Sequence, residues 1–424
     1  MATVTMINNA NTDGWINLTT FSNNSNFKEG VAHSLRLKTI EGEITVDWGD
    51  GFVGTYASSD NLITHTMLQE SELIRCKSSH GLPDFTHVEI RYFAFSYEVL
   101  PCTTFSPLVN LEVLIINSFK LEGDANDLPS TLKDLYGSVA LKGDLFNDLP
   151  NLERVGLRGY DTGLTVDLNN CPNNLIELFV NDNCFITGQL INLPTTVIGL
   201  QLSTTDASSD VIGSLSTLHE GLLLALFLDN VGISGDINDI PDSLVLIASG
   251  ISTIYGDVGT ITSTELKSIQ TSDSGSFLEG DLNTLPVNVN IIFLNASSSD
   301  ITGNVTTMLN RIVPSEINLS EIKSSYTVTP PIVQLYIKGD AVMSISSGLS
   351  INQPTAKYNV HLEGGNSTIT AGQLDQFLID LDNSNFIKQG SVFTLKGNIP
   401  PRTATSDAAY ASLIADGVLI YLNT

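Results

Sequence analysis

Positive charge is scarce in this chain. Its 424 residues hold 19 Lys and Arg against 46 Asp and Glu, a formal net charge of −27. Nucleic acid is excluded as a partner on that ground, because phosphate binding needs cations in excess. Charged residues of both signs make up only 15% of the chain and aromatic residues 7%, yet 42% is hydrophobic, so a core can form and disorder is excluded. No stretch reaches the ~18 consecutive apolar residues of a membrane span, so membrane insertion is not expected. The N-terminal stretch MATVTMINNANTDGW has neither a basic region nor an apolar core, so no secretory leader is expected there. Cysteine is scarce too. Cys76, Cys102, Cys171 and Cys184 show no CxxC spacing and read as small apolar core residues with free thiols. No two His fall at i, i+4, and no GxSxG, HExxH or P-loop sequence appears in usable context. The expectation is a protein that is not an enzyme and has no cofactor.

What is present is a repeat of roughly 22 residues. It reads Leu-x-x-Leu-x-apolar, a polar stretch, apolar-x-Gly-Asp-apolar, then Leu-Pro. The clearest copies are LKDLYGSVALKGDLFNDLP, LIELFVNDNCFITGQLINLP and LALFLDNVGISGDINDIP. Copies start at Leu111, Leu132, Leu152, Leu175, Val197, Leu223, Leu244, Leu266, Val289, a degenerate one near Pro314, and Ile332. The last two apolar residues of each copy are two apart, so both face one side of a strand. Examples are Leu178 and Val180, Leu200 and Leu202, Leu226 and Leu228, Ile292 and Leu294, Ile317 and Leu319, and Leu335 and Ile337. One coil cannot bury that face alone, whereas stacked coils bury it continuously. About eleven coils at ~4.8 Å each make a parallel sheet on the order of 50 Å long. The Gly of each Gly-Asp pair marks a positive φ or a close backbone approach. The Leu-Pro pairs fix an extended return, which leaves little room for long helices.

The two ends depart from the repeat. Residues 1–85 read as a β-sandwich-like domain, with strand patterns at Leu35-x-Leu37, Ile44-x-Val46-x-Trp48 and Val53-x-Thr55, and a tight hairpin at Gly49-Asp50-Gly51. Residues 86–355 are the solenoid, with Val88–Ile90 and Phe93-x-Phe95 leading into its first coils. Residues 356–424 read as an α/β C-terminal cap. Strands are expected at Tyr358–Leu362, Ser391–Lys396 and Val418–Leu422. Helices are expected at Thr370–Leu381 and Ser406–Ala415, the second opened by a Ser406-Asp407 cap and both covering the sheet edge. The fold class is thus mainly β: an irregular leucine-rich-repeat-like parallel solenoid between an antiparallel β-domain and an α/β cap.

The copy from Leu226 to Ile237, LFLDNVGISGDI, resembles the LxLxxNxLSGxI pattern of leucine-rich repeat proteins, and the resemblance covers roughly residues 88–340. It departs from the family in its wandering spacing and in an Asn ladder reduced to Asn183 and Asn230. The segment Ile44–Gly51, ITVDWGDG, resembles the strand–hairpin signature of PKD-like modules, which occur in surface and adhesive proteins. The ending, Thr394–Asn398 followed by Ala404–Tyr421, resembles the tails of repeat-bearing virion proteins of phages. These resemblances imply a phage virion component, a fibre or decoration protein acting in host attachment. Its partners would be other virion proteins and a host surface glycan or protein, and it would be a homo-oligomer. The alternatives are a bacterial surface adhesin and a polysaccharide-binding or -degrading solenoid.

Candidate chemistry is thin. Stacked Asp124 and Asp144, and Asp236, Asp257 and Asp281, would repel one another at about 5 Å, which a Ca2+ ion would relieve. The simpler reading is that each Asp caps its own turn. Asp47 and Asp50 read as turn residues rather than paired catalytic carboxylates, and Trp48 as core. The residues between the inward-facing ones project from the sheet: Arg154, Arg158, Glu177, Phe179, Gln201, Phe227, Asp229, Gln270 and Phe293. This mixed strip is the expected binding surface, with Phe179 and Phe227 as its anchors.

Overall fold

A computed structural model describes residues 15–19, 32–59, 62–69, 73–91, 99–160, 163–206, 209–228, 231–250, 253–271, 277–296, 300–314, 317–319, 322, 327–328, 331–364 and 369–422. Phe93, Phe95, Asp229 and Asn230 lie outside them. The chain forms two compact units, residues 1–197 with 204–210, and residues 198–203 with 211–424.

In the first unit, apolar alternation produces two layers. One is an antiparallel sheet in the order Ile16–Thr19, Leu73–Ser78, Ile44–Asp47, Val53–Tyr56. Its hairpin turns at Gly49 and Gly51, with φ of 75° and 94°. Asp47 Oδ1 accepts from the Gly49 N–H at 3.0 Å and Asp50 Oδ1 from the Phe52 N–H at 3.0 Å. Both carboxylates therefore do turn work, and Trp48 beside them is fully buried. In the other layer, Ile63–Thr66 pairs antiparallel with Ala32–Thr39, which pairs antiparallel with Phe85–Arg91. Phe85–Arg91 is also the first rung of the parallel ladder. The N-terminal β-domain and the first coils thus share one sheet. The ladder continues through Val113–Asp124, Asp134–Asp144, Arg154–Gly159 and Glu177–Asp182.

The second unit repeats the ladder with Gly199–Ser203, Leu224–Leu228, Leu246–Ser249, Ser268–Thr271, Ile291–Ala296 and Ile332–Gly339. A second parallel ladder follows the first in each coil: Asp210–Ser214, Ile233–Asp236, Thr253–Asp257, Phe277–Asp281, Ile301–Asn304 and Val342–Ser344. The copy expected near Pro314 adds no rung. Ile291–Ala296 pairs directly with Ile332–Gly339, and Ile317–Asn318 instead pairs antiparallel with Thr327–Val328, which leaves Ile317 and Leu319 buried off the ladder.

The Gly-Asp signature has a physical explanation. The Asp side chain caps a short helical turn: Asp124, Asp236 and Asp281 accept from the N–H of Asn126, Asn238 and Asn283, Asp257 from that of Gly259 and Asp144 from that of Asn147, as does Asp167, after Val166 rather than Gly, from Asn169. The Gly of the next coil lies against that carboxylate. A Cβ on Gly256 would stand 2.2 Å from Asp236 Oδ1, and one on Gly188 2.7 Å from Asp167 Oδ1. Positive φ at these glycines and close packing between coils are therefore one requirement, not two. On the return side, a polar residue just after each Leu-Pro or Ile-Pro ties its coil to the one before: Asn151 and Asn288 at two of the five pairs, and a Thr or Ser at the other three. The Thr131, Thr196 and Ser243 hydroxyls donate to the carbonyls of Leu111, Leu175 and Leu222 at 2.8, 2.6 and 2.8 Å. These bonds help to hold the turns in register; Asn183 accepts from the Thr205 hydroxyl at a partly exposed position.

The C-terminal segment carries the same sheet onward. Lys357–Gly364, Val392–Gly397 and Leu419–Leu422 add three parallel rungs. Helix Ala371–Asp382, opened by a Thr370–Gln373 capping box, and helix Asp407–Ala415 replace the short returns. The helices are connections between rungs, and Leu419 and Tyr421 project from the outer face of the last one. Ser406 is not the side-chain cap of its helix. Its hydroxyl donates to buried Asp375 at 2.7 Å, and Asp375 also accepts from the Thr403 N–H at 2.8 Å.

Candidate functional site

Register decides what the outer face of the parallel sheet presents. In the first unit the row between the inward residues is Glu89, Ile115, Tyr136, Gly156, Phe179. The flanking row is His87, Val113, Asp134, Arg154, Glu177. Arg154, Glu177 and Phe179 do face outward together, but as a closed cluster. Glu177 is fully buried and Phe179 is 6% exposed. The Tyr136 ring lies flat across Gly156, where a Cβ would be 2.3 Å from its Cδ1, and carries its hydroxyl to Glu177 Oε2 at 2.9 Å. Arg154 stands between two carboxylates, 3.5 Å from Glu177 and 3.6 Å from Asp134. Burial, with the Glu177 charge beside it, pushes the Tyr136 hydroxyl far above its ordinary range, so it remains a donor. Arg158 is the accessible member of this set, paired with Asp182 at 2.7 Å. Asp182 is the one non-glycine residue with positive φ among the described residues.

In the second unit the outer row is Gln201, Leu226, Ala248, Gln270, Phe293, Tyr336, His361, Thr394, Tyr421. Phe227 is not in it. Its coil starts at Leu222, which is buried, rather than Leu223, so Ala225 and Phe227 point inward and Leu226 outward. A one-residue slip reverses every side chain on a strand. The run Leu222-Leu223-Leu224-Ala225-Leu226-Phe227-Leu228 is apolar at both parities, so it carries no alternation to fix the register. Asp229 lies outside the described residues.

Gln270 and Phe293 are placed as expected and lead into a group the sequence reading missed. The Phe293 and Tyr336 rings are 5.5 Å apart and tilted, and Tyr336 and His361 are stacked at 4.5 Å. Beside them runs Asn295, Lys338, Glu363, Lys396. His361 Nε2 meets Glu363 Oε2 at 3.0 Å, and the Lys338 ammonium lies 4.8 Å from the Tyr336 ring centre. The contact with His361, aided by Lys338, holds the Glu363 carboxyl below its usual range, while Tyr336 and Glu363 raise Lys338. Rings stacked along a ladder hide their faces and present their edges, so this strip offers polar edges flanked by amides and charges. The alternation Val333-x-Leu335-x-Ile337 would have put Tyr336 and Lys338 outward had the outer row been followed past Phe293.

One oxygen of each stacked Asp, Oδ1, serves the caps described above. Among the described residues no group of three or more His, Cys, Asp or Glu is placed to hold a metal ion. No helix of the described residues is long and apolar enough to cross a membrane.

Two parallel ladders, short coils and capped turns define a leucine-rich-repeat-like parallel β-solenoid. No family model matches the sequence, and no curated protein matches it. Among solved structures, a plant peptide hormone receptor, RGFR1 in complex with RGF2, is similar at 13% identity and a TM-score of 0.37, over 77% of this chain and 54% of that one. This chain spans about half that receptor's length. The Arabidopsis receptor kinase HAESA, in complex with the peptide hormone IDA and the co-receptor SERK1, is similar at 15% identity and a TM-score of 0.35, over 76% of this chain and 72% of that one. A plant ice-binding protein is similar at 14% identity and a TM-score of 0.32, over 65% of this chain and 76% of that one. At these scores the assignment of architecture rests on the ladders themselves.

Proposed function

We propose that this chain is a non-enzymatic binding protein that uses the outer face of its parallel sheet for attachment. The observation that carries the reading is the strip Gln270, Phe293, Tyr336, His361 with Lys338 and Glu363 beside it. Gln270, Phe293, Tyr336, His361 and Lys338 are half-buried, and Phe293, Tyr336, His361, Lys338 and Glu363 hold one another, so a ligand meets a surface already ordered and little further entropy is lost on binding. Amide, aromatic-edge and charged groups together suit a glycan or a polar protein surface. Arg158 and Gln201 extend the same kind of surface on their own units. The finer reading is a fibre or decoration component of a phage particle, supported by the resemblance of the C-terminal ending to virion tails and by the solenoid form. Its ligand would be a glycan or protein on the host surface, and its neighbours other virion proteins.

The test is binding of the purified chain to glycan arrays and to intact bacterial cells. Tyr336→Ala with His361→Ala is expected to weaken retention at least about tenfold, a loss of ~1.4 kcal/mol. Equal retention by the variant would rule out this face. Mass spectrometry of purified particles that lack the chain would rule out the virion reading and leave the binding face standing.

A further inference from the structure

The middle coils carry a second surface, on the other ladder, whose chemistry differs from that of the strip. Within the second unit, residues 211–310 contain eleven Asp and Glu against one Lys or Arg, Lys267, and Arg311 follows beside Asp281 at one edge of the patch. Lys267 immediately precedes strand Ser268–Thr271 on the first ladder, away from the Gly-Asp turns. On the second ladder Asp236, Tyr255 and Phe277 are register partners on three successive strands. Next to them Asp257 pairs with Glu279. Tyr255 is 46% exposed and Phe277 62%, the latter among the most exposed large apolar side chains of the described residues. Neither ring serves the core, which Ile254 and Leu278 fill from the same strands. The caps use only Oδ1 of Asp236 and Asp281, and Glu279 is exposed.

We propose that this patch docks a cationic polypeptide segment carrying an apolar anchor. Two exposed rings inside a field of one sign are a liability unless something covers them. The field selects what can do so. A second copy of this chain brings the same negative charge and is repelled, whereas a Lys- or Arg-rich segment is steered in and relieves repulsion among the stacked carboxylates. The rings then supply the short-range burial that pure charge attraction lacks. This surface is independent of the outer-face strip, so either can fail without the other.

The experiment uses the full chain and a fluorescent peptide of alternating Lys and Leu, with an alternating Lys-Ser peptide matched in charge. The Lys-Leu peptide is expected to bind at least about tenfold more tightly than Lys-Ser. It should lose at least about tenfold on going from about 50 to about 300 mM salt, as screened charge pairs do. Tyr255→Ser with Phe277→Ser should lose about tenfold, and Asp236→Asn with Glu279→Gln should flatten the salt dependence. Circular dichroism is the check that both double variants fold; Tyr255, Phe277 and Glu279 are exposed, and Asn at 236 retains the cap. Equal affinity of the aromatic variant, or no binding at all, overturns the proposal. So does salt-independent binding of a neutral glycan that is lost with the same two rings, since that would make the patch a sugar site.

Discussion

Gly256 and Gly348 both have positive φ, at 115° and 89°, but only Gly256 lies against a neighbouring coil. Alanine at either position strains the backbone, at a cost of about 1–3 kcal/mol. Gly256→Ala must in addition displace the Asp236 carboxylate, whereas an added Cβ at Gly348 meets nothing within 4 Å. Thermal melting is therefore expected to rank Gly256→Ala clearly below Gly348→Ala. Equal losses would mean that the Gly-Asp signature serves the backbone conformation alone. Asp375 makes a second residue-scale prediction. Burial alone would raise its pKa, but hydrogen bonds from Thr403 and Ser406 prevail and hold it below the usual carboxylate range. A group depressed on folding contributes stability above its unfolded value, near 4, and loses it as pH falls through the lower folded value. Asp375→Asn is thus expected to cost about 1–3 kcal/mol at neutral pH. The gap from the parent should narrow in urea titrations run below about pH 4. A gap that persists undiminished in acid would show that the carboxylate charge is not what anchors Thr403 and Ser406.

At the scale of the turn and strand, the caps separate two explanations of the acidic ladder. If Asp236 caps a turn, Asp236→Asn keeps most of the stability, because Asn caps nearly as well, and Asp236→Ala costs about 0.5–2 kcal/mol. Neither should respond to added Ca2+ or to a chelator. A rise in melting temperature with Ca2+ in the parent, absent in Asp236→Asn, would restore the cation reading. The same scale shows what the sequence makes legible. Where apolar and polar residues alternate strictly, as in Leu200-Gln201-Leu202 or Val333-Gln334-Leu335, the inward faces are found as expected. The capping-box helix Ala371–Asp382 was legible from Leu374, Phe377, Leu378 and Leu381. Phe227 was not, because seven consecutive apolar residues are compatible with either face, and only the neighbours in the ladder choose. The lying-down ring of Tyr136 was beyond pattern reading as well. Its partner Glu177 is two strands away, and the bond depends on the missing side chain of Gly156.

For the molecule as a whole, free thiols offer a probe of opening. Burial pushes the Cys76 and Cys171 thiols up to about 12, and burial with nearby carboxylates raises Cys102 further still, so little thiolate is available at neutral pH. A thiol reagent should react with the native chain far more slowly than with the chain in urea. Fast labelling of the native protein would show that the first unit opens readily. All four cysteines and both tryptophans, Trp15 and Trp48, belong to that first unit. The second unit, which carries both proposed contact surfaces, is therefore dark to tryptophan fluorescence and to thiol chemistry alike. An unfolding curve read by either would report on half of the protein while appearing to describe all of it, and a folded first unit could conceal a melted second one. Phe277→Trp, at a side chain already 62% exposed, would light that half, and the same indole would dim or shift when a partner covers it.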